Sequence, residues 1–196
     1  MMTKNRLEGF SDGVLAIIIT IMVLELKVPQ SAGINGLKEL LPLFCSYLLG
    51  FIYIGIYWNN HHHLFYLTKR VNGVIMWANL HLLFWLSLFP FVTAWVGKNH
   101  LSSFSIALYG FVALMAGCSF HLLERAIIAD QGVNSLLALA LGKDCKEKIS
   151  LLCYLVSIFL AFVNTWIAVG LFIFVAFLWL VPDRRIENFL ATTYSS

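Results

Sequence analysis

The sequence predicts an all-α integral membrane protein with six transmembrane helices, and three observations carry that prediction. First, 60% of the 196 residues are hydrophobic and only 12% are charged, about half the charged share of a soluble domain. Second, the charges are clustered, because long uncharged blocks alternate with short runs rich in Lys, Arg, Asp and Glu; this is the pattern of spans and loops. Third, the basic residues are lopsided about those blocks, as the positive-inside rule requires. The net charge of +3 sits at the ends of apolar runs and reads as topology, so the lipid bilayer is an expected partner and nucleic acid is not.

The first element is the shortest. Its uninterrupted apolar run, Gly13 to Leu24, is bounded by Asp12 and Glu25 and covers about 18 Å as a helix. Intramembrane charges face protein or a water-filled cavity, which puts this helix in the middle of an assembly and not at its lipid rim. A cleavable signal peptide is not expected, since the two carboxylates interrupt the run and no small-residue cleavage site follows it.

The blocks Leu40 to Lys69, Val71 to Gly97 and His100 to Leu123 each reach the ~20 residues that a spanning helix needs, with Pro90 expected to kink the third span. The last block, Ile149 to Pro182, would make one helix of about 51 Å, far beyond a hydrocarbon core of about 30 Å. It therefore divides at Asn164-Thr165, giving a fifth span ending near Val163 and a sixth from Trp166 to Val181, stopped by Pro182. Within the longest loop, roughly Ala126 to Lys148, the stretch Leu136 to Leu141 is expected to lie at the interface as a short helix. No water-soluble domain remains, and residues 1–196 read as a single transmembrane domain.

In this six-span scheme Lys4, Arg6, Lys69, Arg70, Arg125, Lys143, Lys146, Lys148, Arg184 and Arg185 fall on one side, and Lys27, Lys38 and Lys98 on the other. Ten against three makes the first side cytoplasmic, with both termini on it, and the cell membrane the expected location. The cysteines Cys45, Cys118, Cys145 and Cys153 show no CxxC spacing and read as small packing residues.

The strongest local signal is Arg6-Leu-Glu-Gly-Phe10-Ser11-Asp12-Gly13, which runs directly into Ile17, Thr20, Ile21, Leu24 and Glu25. The pattern Arg-x-x-x-Phe-Ser-Asp at the start of the first span resembles the signature of the transmembrane protein 175 potassium channels, including their bacterial six-helix members. Further stretches agree: Tyr57-Trp58-Asn59-Asn60-His61-His62, Asn79 with Leu88-Phe89-Pro90-Phe91, and Trp179-Leu180-Val181-Pro182. The resemblance covers essentially the whole chain. It implies a homotetramer around a central pore lined by the first helices, conducting potassium and other monovalent cations with a weak to moderate preference for potassium. It also implies that the usual carbonyl filter is missing. This chain agrees, having no Thr-Val-Gly-Tyr-Gly loop whose carbonyls could replace a hydration shell.

A helical wheel at 100° per residue from Ile17 places Ile21 at about +40°, Leu24 at about −20°, Gly13 at about −40° and Thr20 at about −60°. Four such stripes converging on an axis would make an apolar constriction that gates by dewetting, with Thr20 on its edge as a source of oxygens. A cation that holds its water less tightly crosses more easily, which favours potassium over sodium. The plain alternative for the stripe is a packing surface of an ordinary membrane helix. Asp12 lies about 140° from Ile17, so it is expected to point at neighbouring helices. An interhelical network of Arg6, Phe10, Ser11, Asp12, His61, His62 and Asn79 would then hold the first helix in position. A solvated interfacial Asp12 is the alternative.

Other chemistries find less support. Consecutive residues of a helix diverge by about 100°, so the run His61-His62-His63 cannot converge on one ion and no metal site is expected. His81 and His121 read as isolated intramembrane histidines, more often interhelical hydrogen-bonding groups than haem ligands, and no cofactor beyond permeant potassium is expected. No GxSxG, HExxH or proteolytic carboxylate pair is present, which argues against an enzyme. The chief rival to a channel is a proton-coupled secondary transporter using Asp12 and Glu25. Such proteins show matched broken helices in inverted repeats, and no convincing repeat is found here.

Overall fold

The computed structural model describes residues 3–29, 33–99, 101–132, 135, 137–138 and 145–180. Seven helices account for them: α1 (Lys4–Leu24), α2 (Ile34–Tyr66), α3 (Gly73–Ser87), α4 (Phe89–Lys98), α5 (Ser103–Gln131), α6 (Cys145–Leu160) and α7 (Thr165–Leu180). There is no strand among the described residues. Counting α3 and α4 as one interrupted span gives six rods, and four of these are long and apolar enough to cross a membrane: α1, α2, the α3–α4 pair and α5. The remaining two, α6 and α7, have 16 residues each, about 24 Å of helix. The protein is an all-α, multi-pass membrane protein.

The helix ends follow local chemistry. α1 extends the short apolar run back to Lys4, so its 21 residues reach about 31 Å, enough to span. The third span breaks at Leu88, which caps α3 and precedes α4. Pro90 sits in the first turn of α4, where its missing N–H costs nothing. The last apolar block divides where the sequence places the division. Asn164 Oδ1 accepts from the backbone N–H of Trp166 (3.0 Å) and Ile167 (3.4 Å), capping α7. α6 stops at Leu160, three residues short of Val163, because 161–163 form the turn. α2 starts earlier than expected, at Ile34, and carries Pro42 inside it. Its 33 residues make about 50 Å, so part of it stands outside a core of about 30 Å. The interfacial helix expected over 136–141 lies outside the described residues apart from 137 and 138, as do Pro182, Arg184, Arg185 and Lys143.

Packing is close. α5 lies against α3 and α6, α2 against α4, and α6 against α7, while α1 touches α2, α3 and α4. At the centre Tyr53, Phe89, Tyr109 and Phe172 stack edge-on or tilted, with ring centroids 5.1 to 6.2 Å apart, and the Tyr53 hydroxyl donates to the Phe172 carbonyl at 2.8 Å. Gly97 lets α4 approach α2 so closely that an added Cβ would meet Leu43 Cα at 2.7 Å. Small residues at such crossings are how membrane helices gain contact without a hydrophobic driving force. Two polar ties fix which ends are neighbours. Lys4 Nζ donates to the Tyr66 carbonyl at 3.3 Å, so the start of α1 meets the end of α2. Lys98 Nζ meets Glu25 Oε2 at 2.6 Å, so the ends of α1 and α4 meet on the opposite side.

Candidate functional site

α1 has two distinct faces. Leu7, Ser11, Leu15, Ile18 and Met22 are buried, at intervals of three and four that keep them on one stripe, and this stripe is wedged among α2, α3 and α4. The other face is bare: Ile17 is 60% exposed, Ile21 46% and Leu24 73%, and Gly13 and Thr20 are exposed beside them. An added Cβ at Gly9 or Gly13 would meet nothing within 4 Å. The stripe singled out on the helical wheel is therefore the face that the chain's own helices leave uncovered. Thr20 Oγ1 donates to the Ala16 carbonyl at 2.9 Å, which occupies its proton and leaves its lone pairs directed outward.

On the buried side a polar clasp joins three helices. Ser11 Oγ donates to the Leu7 carbonyl at 2.9 Å and accepts from Asn79 Nδ2 at 2.9 Å. Asn79 Oδ1 then faces His61 Nε2 at 2.8 Å. With the amide nitrogen committed to Ser11, Oδ1 must accept, so the His61 ring carries its proton on Nε2. The His61 ring lies against Phe65, centroids 4.5 Å apart. Ser11, Asn79 and His61 are all buried, and each finds a partner from another helix, so α1, α2 and α3 are held in one register.

Asp12 stands outside this clasp, which corrects the expectation that it pairs with Arg6, His61, His62 or Asn79. It is exposed and accepts from Trp58 Nε1 at 3.0 Å. The reason is angular: Ser11, one residue earlier and about 100° away, takes the inward position. Trp58 in turn stacks on His62, centroids 6.4 Å apart at 23°, so Asp12, Trp58 and His62 form an outer layer. Arg6 and Phe10 are exposed. Trp58 was missed as a site residue because indole counts as apolar in a hydropathy reading. Its single N–H donor, in a helix with few acceptors, was the available signal.

The remaining histidines also differ from expectation. His81 Nε2 accepts from Trp85 Nε1 at 3.1 Å within α3. His121 is not isolated, because its Nδ1 lies 2.6 Å from Glu147 Oε1 and 4.0 Å from Glu124 Oε2.

With this geometry in place, comparison with known proteins is informative. The family model described as endosomal/lysosomal potassium channel TMEM175 matches residues 6–90, the stretch holding α1, the clasp and Pro90. A potassium channel of Chryseobacterium sp. (strain P1-3) is 53% identical over 189 residues, covering 96% of this chain and 98% of that protein. The chain belongs to the TMEM175 potassium channel family. A second relative, a potassium channel of Chamaesiphon minutus (strain ATCC 27169 / PCC 6605), is 32% identical over 180 residues, covering 85% of this chain and 88% of its own length. The fold agrees as well. The crystal structure of a lysosomal potassium-selective channel TMEM175 homolog from Chamaesiphon minutus superposes with a TM-score of 0.81 at 29% identity, over 91% of this chain and 96% of that one. The TMEM175 family and these relatives are ion channels, not enzymes.

Proposed function

We propose that four copies of this chain assemble around a central axis in the cell membrane as a potassium-preferring cation channel, each contributing α1 to the permeation path and its whole length to one channel domain. The observation that carries this reading is the bare apolar face of α1, where Ile17, Ile21 and Leu24 stand exposed on a helix whose opposite face is fully packed. One chain cannot enclose a path with a single helix, and closed rotational symmetry is the usual way to bury such a face. Four copies of Ile17, Ile21 and Leu24 then make stacked apolar rings that water leaves easily. Thr20 supplies acceptor oxygens beside them, and the Ser11–Asn79–His61 clasp keeps the rings aligned. Selectivity follows from the cost of partial dehydration, lower for potassium than for sodium, and no cofactor is needed. Both termini face the cytoplasm, in keeping with the ten-to-three distribution of basic residues.

Planar-bilayer recording of the purified protein under opposed potassium and sodium gradients tests this directly. The expected result is unitary current reversing on the potassium side of zero, from particles of four chains by native mass measurement. A monomer that moves cations only when a proton gradient is imposed would replace the channel by a proton-coupled transporter.

A further inference from the structure

We propose that His121, Glu124 and Glu147 form a binding site for a divalent transition-metal ion of the zinc type, which clamps α5 to the start of α6. His121 and Glu124 are three residues apart on α5 and so share a face, and Glu147 comes from the first turn of α6. One ligand atom from each residue lies within 4.8 Å of the other two. An imidazole with two carboxylates is a donor set that zinc accepts, leaving a fourth position for water.

The distances fit after small movements. Ligand atoms about 2.1 Å from a tetrahedral ion stand roughly 3.4 Å apart. The His121–Glu147 contact of 2.6 Å must open by under about 1 Å, and the His121–Glu124 separation of 4.0 Å must close slightly; rotations of carboxylates at the ends of side chains supply both. A second observation points the same way. His121 Nδ1 is shielded from solvent and already turned toward both carboxylates, 2.6 Å from Glu147 Oε1 and 4.0 Å from Glu124 Oε2. Both carboxylates, though not His121, also line a partly open pocket of about 40 Å³ shared with Tyr53, Tyr57, Tyr154 and Asn60. That is room for at least one ordered water, the group that completes the shell. Metal on Nδ1 leaves the ring proton on Nε2, so Arg125, whose Nε now donates there at 3.3 Å, must release it. Arg125 is exposed and can turn to solvent.

The test uses the full-length protein in detergent, free of any affinity tag, titrated with Zn2+ alone by calorimetry and by equilibrium dialysis. One ion per chain is expected, together with a rise in melting temperature on addition of Zn2+. His121→Ala and Glu147→Gln should each weaken binding by at least about tenfold and abolish the thermal shift. Should His121→Ala fold poorly, Glu124→Gln and the visible absorption of Co2+ in the unaltered protein provide the same reading, since a tetrahedral site gives an intense band. The double variant His62→Ala/His63→Ala and the variant Cys145→Ser remove other candidate ligands and should bind as before. Unchanged binding in both His121→Ala and Glu147→Gln, or loss of binding in Cys145→Ser or in the double variant, would overturn the assignment.

Discussion

The clasp of Ser11, Asn79 and His61 rests on one amide. Asn79 donates through Nδ2 and accepts through Oδ1, so Asn79→Leu, close in shape, strands the His61 N–H and leaves Ser11 without its interhelical donor. Interhelical hydrogen bonds in membranes are individually modest, yet two buried groups lose partners at once. The expected cost is ~1–2 kcal/mol, read as a fall of about 3–6 °C in the detergent melting temperature. Asp12→Asn behaves differently, because an amide oxygen still accepts from Trp58 Nε1; melting should move by under about 2 °C, with the reversal potential unchanged. A shifted reversal potential in that variant would place Asp12 in the permeation path. Polar residues within apolar helices made Ser11, His61 and Asn79 legible from sequence alone. Their wiring was not: two neighbours about 100° apart on a helix compete for the inward position, and only packing decides that Ser11 takes it while Asp12 turns to a tryptophan.

Among the elements, the helices were legible wherever chemistry punctuates the chain. Asn164 caps α7 through its side-chain oxygen, and Pro90 sits two residues after the Leu88 break, each close to where a polar pair or a proline marks the sequence. The start of α2 was hidden because Lys38 and Glu39 end the uncharged block at Leu40, yet α2 begins at Ile34 and carries both charges and Pro42 inside it, the carbonyl freed by the proline being tolerated in a membrane helix. The His121–Glu124–Glu147 grouping was hidden for another reason, since Glu147 comes from a different helix and no spacing rule links it to α5. Glycines separate packing from function in a testable way. At Gly97 a Cβ would meet Leu43 Cα at 2.7 Å, backbone that cannot turn aside, so Gly97→Ala should push α2 from α4 and cost about 1–3 kcal/mol. Gly13 opens onto empty space, so Gly13→Ala should keep or slightly raise stability, by up to about 1 kcal/mol from helix propensity. On the proposed pore face the same methyl should lower single-channel conductance. Thermal melts and bilayer recordings of both variants check the contrast, and an equal loss of stability would contradict the division of faces.

At the scale of the whole molecule, the chain packs one side of α1 and leaves the other uncovered, the face that copies of the chain cover in the proposed tetramer. The ends are ordered by charge: Lys4 ties α1 to α2 at one end, and Glu25 ties α1 to Lys98 at the other. A reporter fused after Ser196 should be cytoplasmic and one inserted near Lys98 exported, and the reverse pattern would invert the proposed orientation. The central claim is that the bare stripe, not the buried one, governs which ions cross. Ile17 and Ile18 are adjacent in sequence but 60% and 3% exposed, which makes them a matched pair. Ile17→Ala widens one ring of the path and eases the retention of water there. Ile18→Ala instead leaves a cavity inside one subunit, costing about 2–4 kcal/mol of stability without touching the path. The decisive measurement is the reversal potential of each variant under opposed potassium and sodium gradients. It should move toward zero, with higher conductance, for Ile17→Ala and stay at the unaltered value for Ile18→Ala; a shift in the Ile18 variant with none in the Ile17 variant would contradict the account.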